Sequence, residues 1–496
     1  RTLMIGVSMG MTSEEPITHL TWFDELLQER RIPDPGSHIE VMTLPGSYLD
    51  EFARQRGSRM VPIQLDGENH TPGRMSAPAT RVFLRPVALM LAAAGVAGGL
   101  QTILQRGQAL YGLSHTLSDE ARRQLTLHDP FLRLAAWLSL RADRAAGAAG
   151  ATAGEAGPTA GGAPKLLVTI SPGWEGFLPW LEQLVEESLG KDGKGFLVFY
   201  GQSAAAYGED CAALRIAVEG YDAPPALVPP HGARPWPSLT LHVPAPPQPL
   251  SRLPSELAGL GELTGLFLGM KKTVAAYGYL QDIVFAGQPA VEAYKRYARE
   301  LREAPAPPSS PGRVQGPQGI VMDYSSLLRR GLLDESSLQA LARRQGGQVT
   351  SPADVLGAIL AAAREAGTLR YLDFTWNGEL DEGLRALFER HRQRLANQTL
   401  RIPAKIRTGP SDYHSTEQSE TDGPPELVSL RLVAERHEPV EAGRYDDTFL
   451  LAQARGTWQA MEDAGRWIVF LTVPAADEPA IEALDRLLEA TAERLA

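Results

Sequence analysis

The sequence predicts an α/β protein made of two doubly wound parallel-sheet units, on three observations. Short, largely contiguous apolar runs alternate with stretches of helical spacing. The runs lack the regular polar alternation of a sheet with one wet face, so they fit strands covered on both sides. The pattern also restarts after two intervening helices, which divides the chain into units 1–125 and 126–496.

The first unit opens with a strand at Leu3, Met4, Ile5 and Val7, a loop of mainly small residues from Ser8 to Ser13, and a helix from Pro16 to Leu27. A strand from Ile39 to Leu44 ends at Pro45 and Gly46, before a helix over Tyr48 to Arg56 and a strand over Met60 to Ile63. The intervening helices lie near Val87 to Leu110 and Pro130 to Arg144. In the second unit a strand from Leu166 to Ile170, a helix from Gly176 to Leu189 and a strand from Phe196 to Tyr200 repeat the order.

Helices follow at Ser255 to Leu280, Val291 to Glu303, Pro352 to Glu365 and Asp381 to Leu395, with strands near Tyr371 to Trp376, Leu427 to Val433 and Trp467 to Val473. Residues 145–164 are almost wholly Ala, Gly, Thr and Pro. Without bulky side chains to offset ordering entropy, they predict a flexible loop. The Pro-rich segments Ala223 to Pro237 and Ala304 to Pro317 are further connectors.

Composition narrows the function classes. Of 496 residues 43% are apolar and 22% charged, as in a soluble globular protein. Lys and Arg total 48 against 59 Asp and Glu, and a net charge of -11 opposes binding to nucleic acid or an anionic membrane. The apolar stretch Val87 to Leu100 is too short to cross a bilayer and the start lacks a signal peptide's order, so a cytoplasmic location is expected. Cys211 is the only cysteine and the histidines are scattered, so no metal and no cofactor is predicted.

In the helix ending at Leu189, Phe177, Leu178, Leu181, Leu184 and Val185 share one face, while Gln183 and Glu187 stand four apart on the opposite side. Gly190 sits where a helix end favours positive φ. On the residues alone, Glu187 reads as a solvated carboxylate, Arg74 as a surface cation, Ser8 to Ser13 as an N-capping turn and His414 as a hydrogen-bonded structural residue.

A second reading comes from the segment Glu182 to Gly195, whose core is Glu187, Ser188, Leu189, Gly190 and Lys191. It resembles a signature of the phosphoglucose isomerase (glucose-6-phosphate isomerase) family, most closely the isomerase part of bacterial proteins fusing transaldolase to it. Pro45, Gly46 and Ser47 resemble the family's D-P-G-S-x-L segment, and Gly73, Arg74, Met75 and Ser76 its G-G-R-[FY]-S turn. Gln288 to Val291 resembles the end of N-P-F-D-Q-P-x-V, and Tyr413 to Gln418 resembles L-H-S-T-G-Q. The pieces occur in family order from near Arg1 to about Val473.

The resemblance implies two sugar-isomerase (SIS) type units, the first truncated at its N-terminus, and interconversion of an aldose phosphate and a ketose phosphate in glycolysis and gluconeogenesis. It casts Glu187 as the base that moves a proton through a cis-enediol and Arg74 as the partner of the enediolate oxygen. Ser8, Thr12, Ser13, Ser76, Gln183, Lys191 and His414 become substrate- or phosphate-binding residues. It also implies a homodimer, or a partner chain supplying the missing N-terminal part.

The chain departs from the family in two places. Met9 and Met11 stand where the phosphate loop has Lys and Gly, and Glu420 and Thr421 stand where the family has its ring-opening histidine and the following lysine. Glu420 is accordingly the third catalytic candidate, as an acid and base in the histidine's place. The alternative function is a catalytically degenerate relative, a sugar-phosphate-binding or structural subunit.

Overall fold

The computed structural model describes residues 2–8, 15–66, 73–111, 128–152, 165–202, 206–208, 211–229, 235–244, 259–303, 311–414, 416–436 and 446–496. It is an α/β fold with three sheets, each largely or wholly parallel. The first sheet has the order β1 (Met4–Val7), β2 (Ile39–Thr43), β3 (Arg59–Pro62). Its helix Tyr48–Arg56 begins at Ser47, whose hydroxyl accepts from the Asp50 amide at 3.1 Å, and ends at Gly57 with a φ of 68°.

The second sheet comprises β4 (Lys165–Ile170), β5 (Leu197–Phe199), β6 (Cys211–Val218) and β7 (Ser238–Val243), in the order β5-β4-β6-β7. The helices Pro130–Thr152, Phe177–Leu189 and Leu260–Gln281 close its core through Phe131, Leu138, Leu181, Leu184, Leu266 and Met270. The third sheet is made of β8 (Arg313–Gln315), β9 (Val321–Asp323), β10 (Tyr371–Asn377), β11 (Ala404–Gly409), β12 (Leu427–Ala434) and β13 (Trp467–Val473). In it β11-β10-β12-β13 run parallel, and β9 and β8 add antiparallel pairs at one edge. Leu167, Leu197 and Phe199 of the second sheet share a core cluster with Tyr371, Leu427 and Ile468 of the third. Apolar burial thus joins the two sheets.

Several local expectations change. The helix expected near Val87 to Leu110 is two helices, Arg81–Ala93 and Gly99–Tyr111, parted where Gly95 and Gly98 adopt φ of 70° and 73°. The helix from Pro130 continues to Thr152, into the segment read as a loop, because a run of alanines keeps high helical propensity even without bulky side chains. The remainder of that segment, 153–164, lies outside the described residues. β6 and β7 were not foreseen, nor was β11, whose Lys405 and Arg407 interrupt any apolar run.

Candidate functional site

Glu187 is not the solvated carboxylate that its position on a polar helix face suggests. It is 2% exposed, and Arg74, 3% exposed, is buried with it. The short turn Gly73–Met75 carries Arg74 over the end of the helix Phe177–Leu189. There its guanidinium donates from Nη1 to Glu187 Oε1 at 3.0 Å, from Nε to Ser188 Oγ at 2.6 Å and from Nη2 to the Phe285 carbonyl at 2.7 Å. Gln183, one turn back on the same face, donates from Nε2 to the other carboxylate oxygen at 3.1 Å. Both oxygens of Glu187 are therefore held, which a buried charge requires. Burial lowers the Arg74 pKa, and the pull of Glu187 works against it.

Lys191 extends the same constellation. Its Nζ donates to the carbonyls of Val284 and Ala286 at 2.6 and 3.0 Å, so the turn that receives Arg74 also receives Lys191. Burial, with the positive charge of Arg74 adding to it, brings the Lys191 pKa down to about 8.

Gly190 does not adopt the expected positive φ; its φ is -75°. A Cβ there would stand 2.5 Å from Ser419 Cβ, so glycine serves close packing, and Asp192 and Gly193 supply the left-handed turn instead. The short helix Glu417–Asp422 seals this junction. Gln418 Nε2 donates to the Gly190 carbonyl at 3.2 Å, its Oε1 accepts from the Ala290 amide at 3.0 Å, and the Gly193 amide donates to the Asp422 carbonyl at 2.8 Å. Four segments far apart in the chain, near residues 74, 190, 287 and 418, thus meet in one place.

The other candidates are placed as follows. Ser76 is buried two residues beyond Arg74, and its carbonyl accepts from the Thr80 amide at 3.0 Å. Ser8 is buried at the end of β1, where its carbonyl accepts from Thr43 Oγ1 at 2.8 Å. Thr12 and Ser13 lie outside the described residues, as does the side chain of His414, which closes the turn Ser411–His414.

Glu420 goes elsewhere. It is 1% exposed and ion-paired with Arg407, at 2.8 Å, and with Arg431. Arg431 also holds Glu417 at 2.8 Å. Arg407 continues to Asp373 at 3.1 Å and Glu186 at 3.3 Å, while Lys405 binds Glu186 and, at 2.6 Å, Glu182.

Burial raises the pKa of Glu186, Asp373 and Glu417, the last to about 8, where the pull of Arg431 works against burial and the negative charges of Glu420 and Asp373 add to it. Burial also acts to raise Glu182 and Glu420, but their cations outweigh it and hold both low. Glu420 therefore belongs to a buried ion network on the side of the helix that carries Glu186, away from the Arg74 pairing. Sequence reasoning missed this network. Its available signal was charged residues at alternate positions in otherwise apolar strands: Asp373 in β10, Lys405 and Arg407 in β11, and Arg431 in β12.

Among the described residues no group of three or more His, Cys, Asp or Glu is placed to hold a metal ion, and no helix is long and apolar enough to cross a membrane. No family model matches the chain, and no curated protein matches it.

Among solved structures, similar chains include a hypothetical protein from Thermus thermophilus, at 13% identity and a TM-score of 0.25, covering 80% of this chain and 91% of that one. A glucose-6-phosphate isomerase from Chlamydia trachomatis matches at 10% identity and a TM-score of 0.21, over 79% of this chain and 72% of that one. A putative sugar binding protein from Salmonella typhimurium matches at 11% identity and a TM-score of 0.19, over 80% and 99%. Likenesses of this size carry neither fold nor function. The sheets and the side chains themselves define an α/β protein with a buried carboxylate–guanidinium site where its polar connections converge.

Proposed function

We propose that this chain is a sugar-phosphate aldose–ketose isomerase in which Glu187 moves a proton between adjacent carbons through a cis-enediol. The observation that supports this best is the Arg74–Glu187 pairing, because it joins two segments that resemble isomerase motifs across more than a hundred residues of chain. Glu187 takes the proton from C2 of the open-chain aldose and returns it to C1, so no proton is gained or lost overall. Arg74, charged in any environment, neutralises the enediolate oxygen as its charge develops. Gln183 and Ser188 fix the carboxylate and the guanidinium against rotation.

One observation favours a second reading. Glu420, the residue standing in for a ring-opening histidine, is tied to Arg407 and Arg431 in the interior. On this reading the chain is a catalytically degenerate relative that binds a sugar phosphate without turning it over.

Incubating the protein with fructose 6-phosphate in deuterium oxide and following exchange at C1 by NMR, beside a coupled glucose 6-phosphate assay, separates the readings. The first predicts net isomerisation. The second predicts binding with neither exchange nor isomerisation. Glu187→Gln should lower any turnover by ~10²-fold or more, and turnover unchanged in this variant would remove Glu187 as the base.

A further inference from the structure

The long helix Leu260–Gln281 carries adjacent lysines with different surroundings. Lys272 is ion-paired with Asp129. Lys271 has no carboxylate against it among the described residues, and its Nζ donates to the Met75 carbonyl at 2.9 Å. Met75 is the residue after Arg74, so Lys271 is fastened to the same short turn that positions the guanidinium over Glu187.

Packing fixes the direction from which Lys271 arrives. One turn before it, the Phe267 ring stands edge-on to Trp180 with centroids 4.4 Å apart. Trp180, Gln183 and Glu187 recur at three- and four-residue spacing on one face of their helix, so the Phe267–Lys271 edge flanks the row that ends at Glu187.

Donor capacity then separates the cations near the site. The Arg74 guanidinium is engaged by Glu187, Ser188 and Phe285, and the Lys191 ammonium by two carbonyls. An ammonium has three donors, and Lys271 directs one of them to Met75. Lys271 is only partly buried. Burial brings its pKa down to about 8, as expected of a charge lacking a counter-ion.

We propose that Lys271 forms an anion subsite beside the Arg74–Glu187 pair and holds the phosphate of a sugar phosphate. This rests on the sugar-phosphate reading for the identity of the ligand, but not for the existence of the subsite. The anion supplies the missing counter-charge and accepts the remaining N–H donors, with no bond made or broken. Because only the ammonium form binds, affinity should fall as the pH passes above about 8.

Calorimetric titration of the full chain with inorganic phosphate and with fructose 6-phosphate, at neutral pH and at a pH near that of free lysine, tests the subsite. Lys271→Met should weaken both ligands by about tenfold or more, as loss of a charge-assisted hydrogen bond does. Lys271→Arg, which keeps the charge, should restore binding in the neutral range and remove the decline at high pH. If phosphate binds through Lys271 but fructose 6-phosphate binds no more tightly, the subsite stands and the sugar-phosphate reading fails. Should fructose 6-phosphate bind folded Lys271→Met as tightly as wild type, the subsite is overturned and the sugar-phosphate reading survives. Wild-type protein that takes up neither ligand overturns both.

Discussion

Glu186 and Glu187 are neighbours on one helix, 1% and 2% exposed, yet they engage different sets of partners. Glu187 turns to the Arg74 guanidinium and the Gln183 amide, in a cluster that joins one helix to a short turn more than a hundred residues earlier. Glu186 turns into the third sheet, where Lys405, Arg407, Asp373, Glu420 and Arg431 continue the charge alternation. A compact pair at a chain junction can exchange one partner for a ligand, whereas a network shared by strands and helices cannot lose a member without leaving another charge bare. Burial alone does not distinguish chemistry from architecture; the number and origin of the partners do.

The largest test of that division removes one cation from each side. Arg74→Met takes from the buried Glu187 its guanidinium partner, and Lys405→Met takes from Glu182 and Glu186 one of the two cations they share, leaving Arg407; each should cost about 3–5 kcal/mol in urea unfolding. Only Arg74→Met should also abolish proton exchange on a sugar phosphate in the fraction that stays folded. Equal loss of exchange in folded Lys405→Met would show that the two faces act as one unit.

A somewhat smaller effect is expected at the seam between them. Gly190→Ala would place Cβ 2.5 Å from Ser419 Cβ and 2.6 Å from its Cα, where the backbone rather than a flexible side chain must yield. Destabilisation of about 1–3 kcal/mol should follow, and a variant as stable as wild type would mean that the short helix Glu417–Asp422 is not fixed against Gly190.

The ion network should also make stability depend on pH in a direction opposite to that of an ordinary salt-bridged acid. Glu417 has a folded pKa of about 8, above its unfolded value, so the folded state holds the extra proton between the two. Its contribution is complete below the unfolded pKa and is lost as the pH rises towards about 8, with a slope of up to ~1.4 kcal/mol per pH unit for one proton. Glu417→Gln keeps a neutral side chain at every pH and should flatten that part of the stability curve. A curve unchanged by the substitution would remove Glu417 as its source.

The sequence made the fold class legible because contiguous apolar runs such as Ile39 to Leu44 and Trp467 to Val473 have no stable place but a covered strand. It also singled out Arg74, Glu187 and Lys191 as candidates, though only through resemblance. Periodicity put Glu187 on the polar face, and burial of that face depends on Arg74, more than a hundred residues earlier. For the same reason β11 escaped notice. Lys405 and Arg407 look like surface residues until Glu182, Glu186, Asp373 and Glu420 converge on them. Local patterns encode which elements form; charges buried by distant partners are encoded only in the tertiary arrangement.

The smallest predicted effect is a control on that last point. Arg344 and Glu365 form an ion pair at 3.0 Å, a distance indistinguishable from that of Arg74 and Glu187, but their side chains are 62% and 60% exposed. Water screens the attraction and competes for every donor, while ordering two long side chains costs entropy. A double-mutant cycle to alanine should therefore give a coupling of about 0.2–1 kcal/mol, falling further in high salt. The same cycle at Arg74 and Glu187 should give several-fold more, with little salt dependence, because neither partner has water to return to. If the two cycles gave equal couplings, pair geometry rather than burial would set the strength of both, and the contrast between Glu187 and the exposed acids of this chain would lose its physical basis.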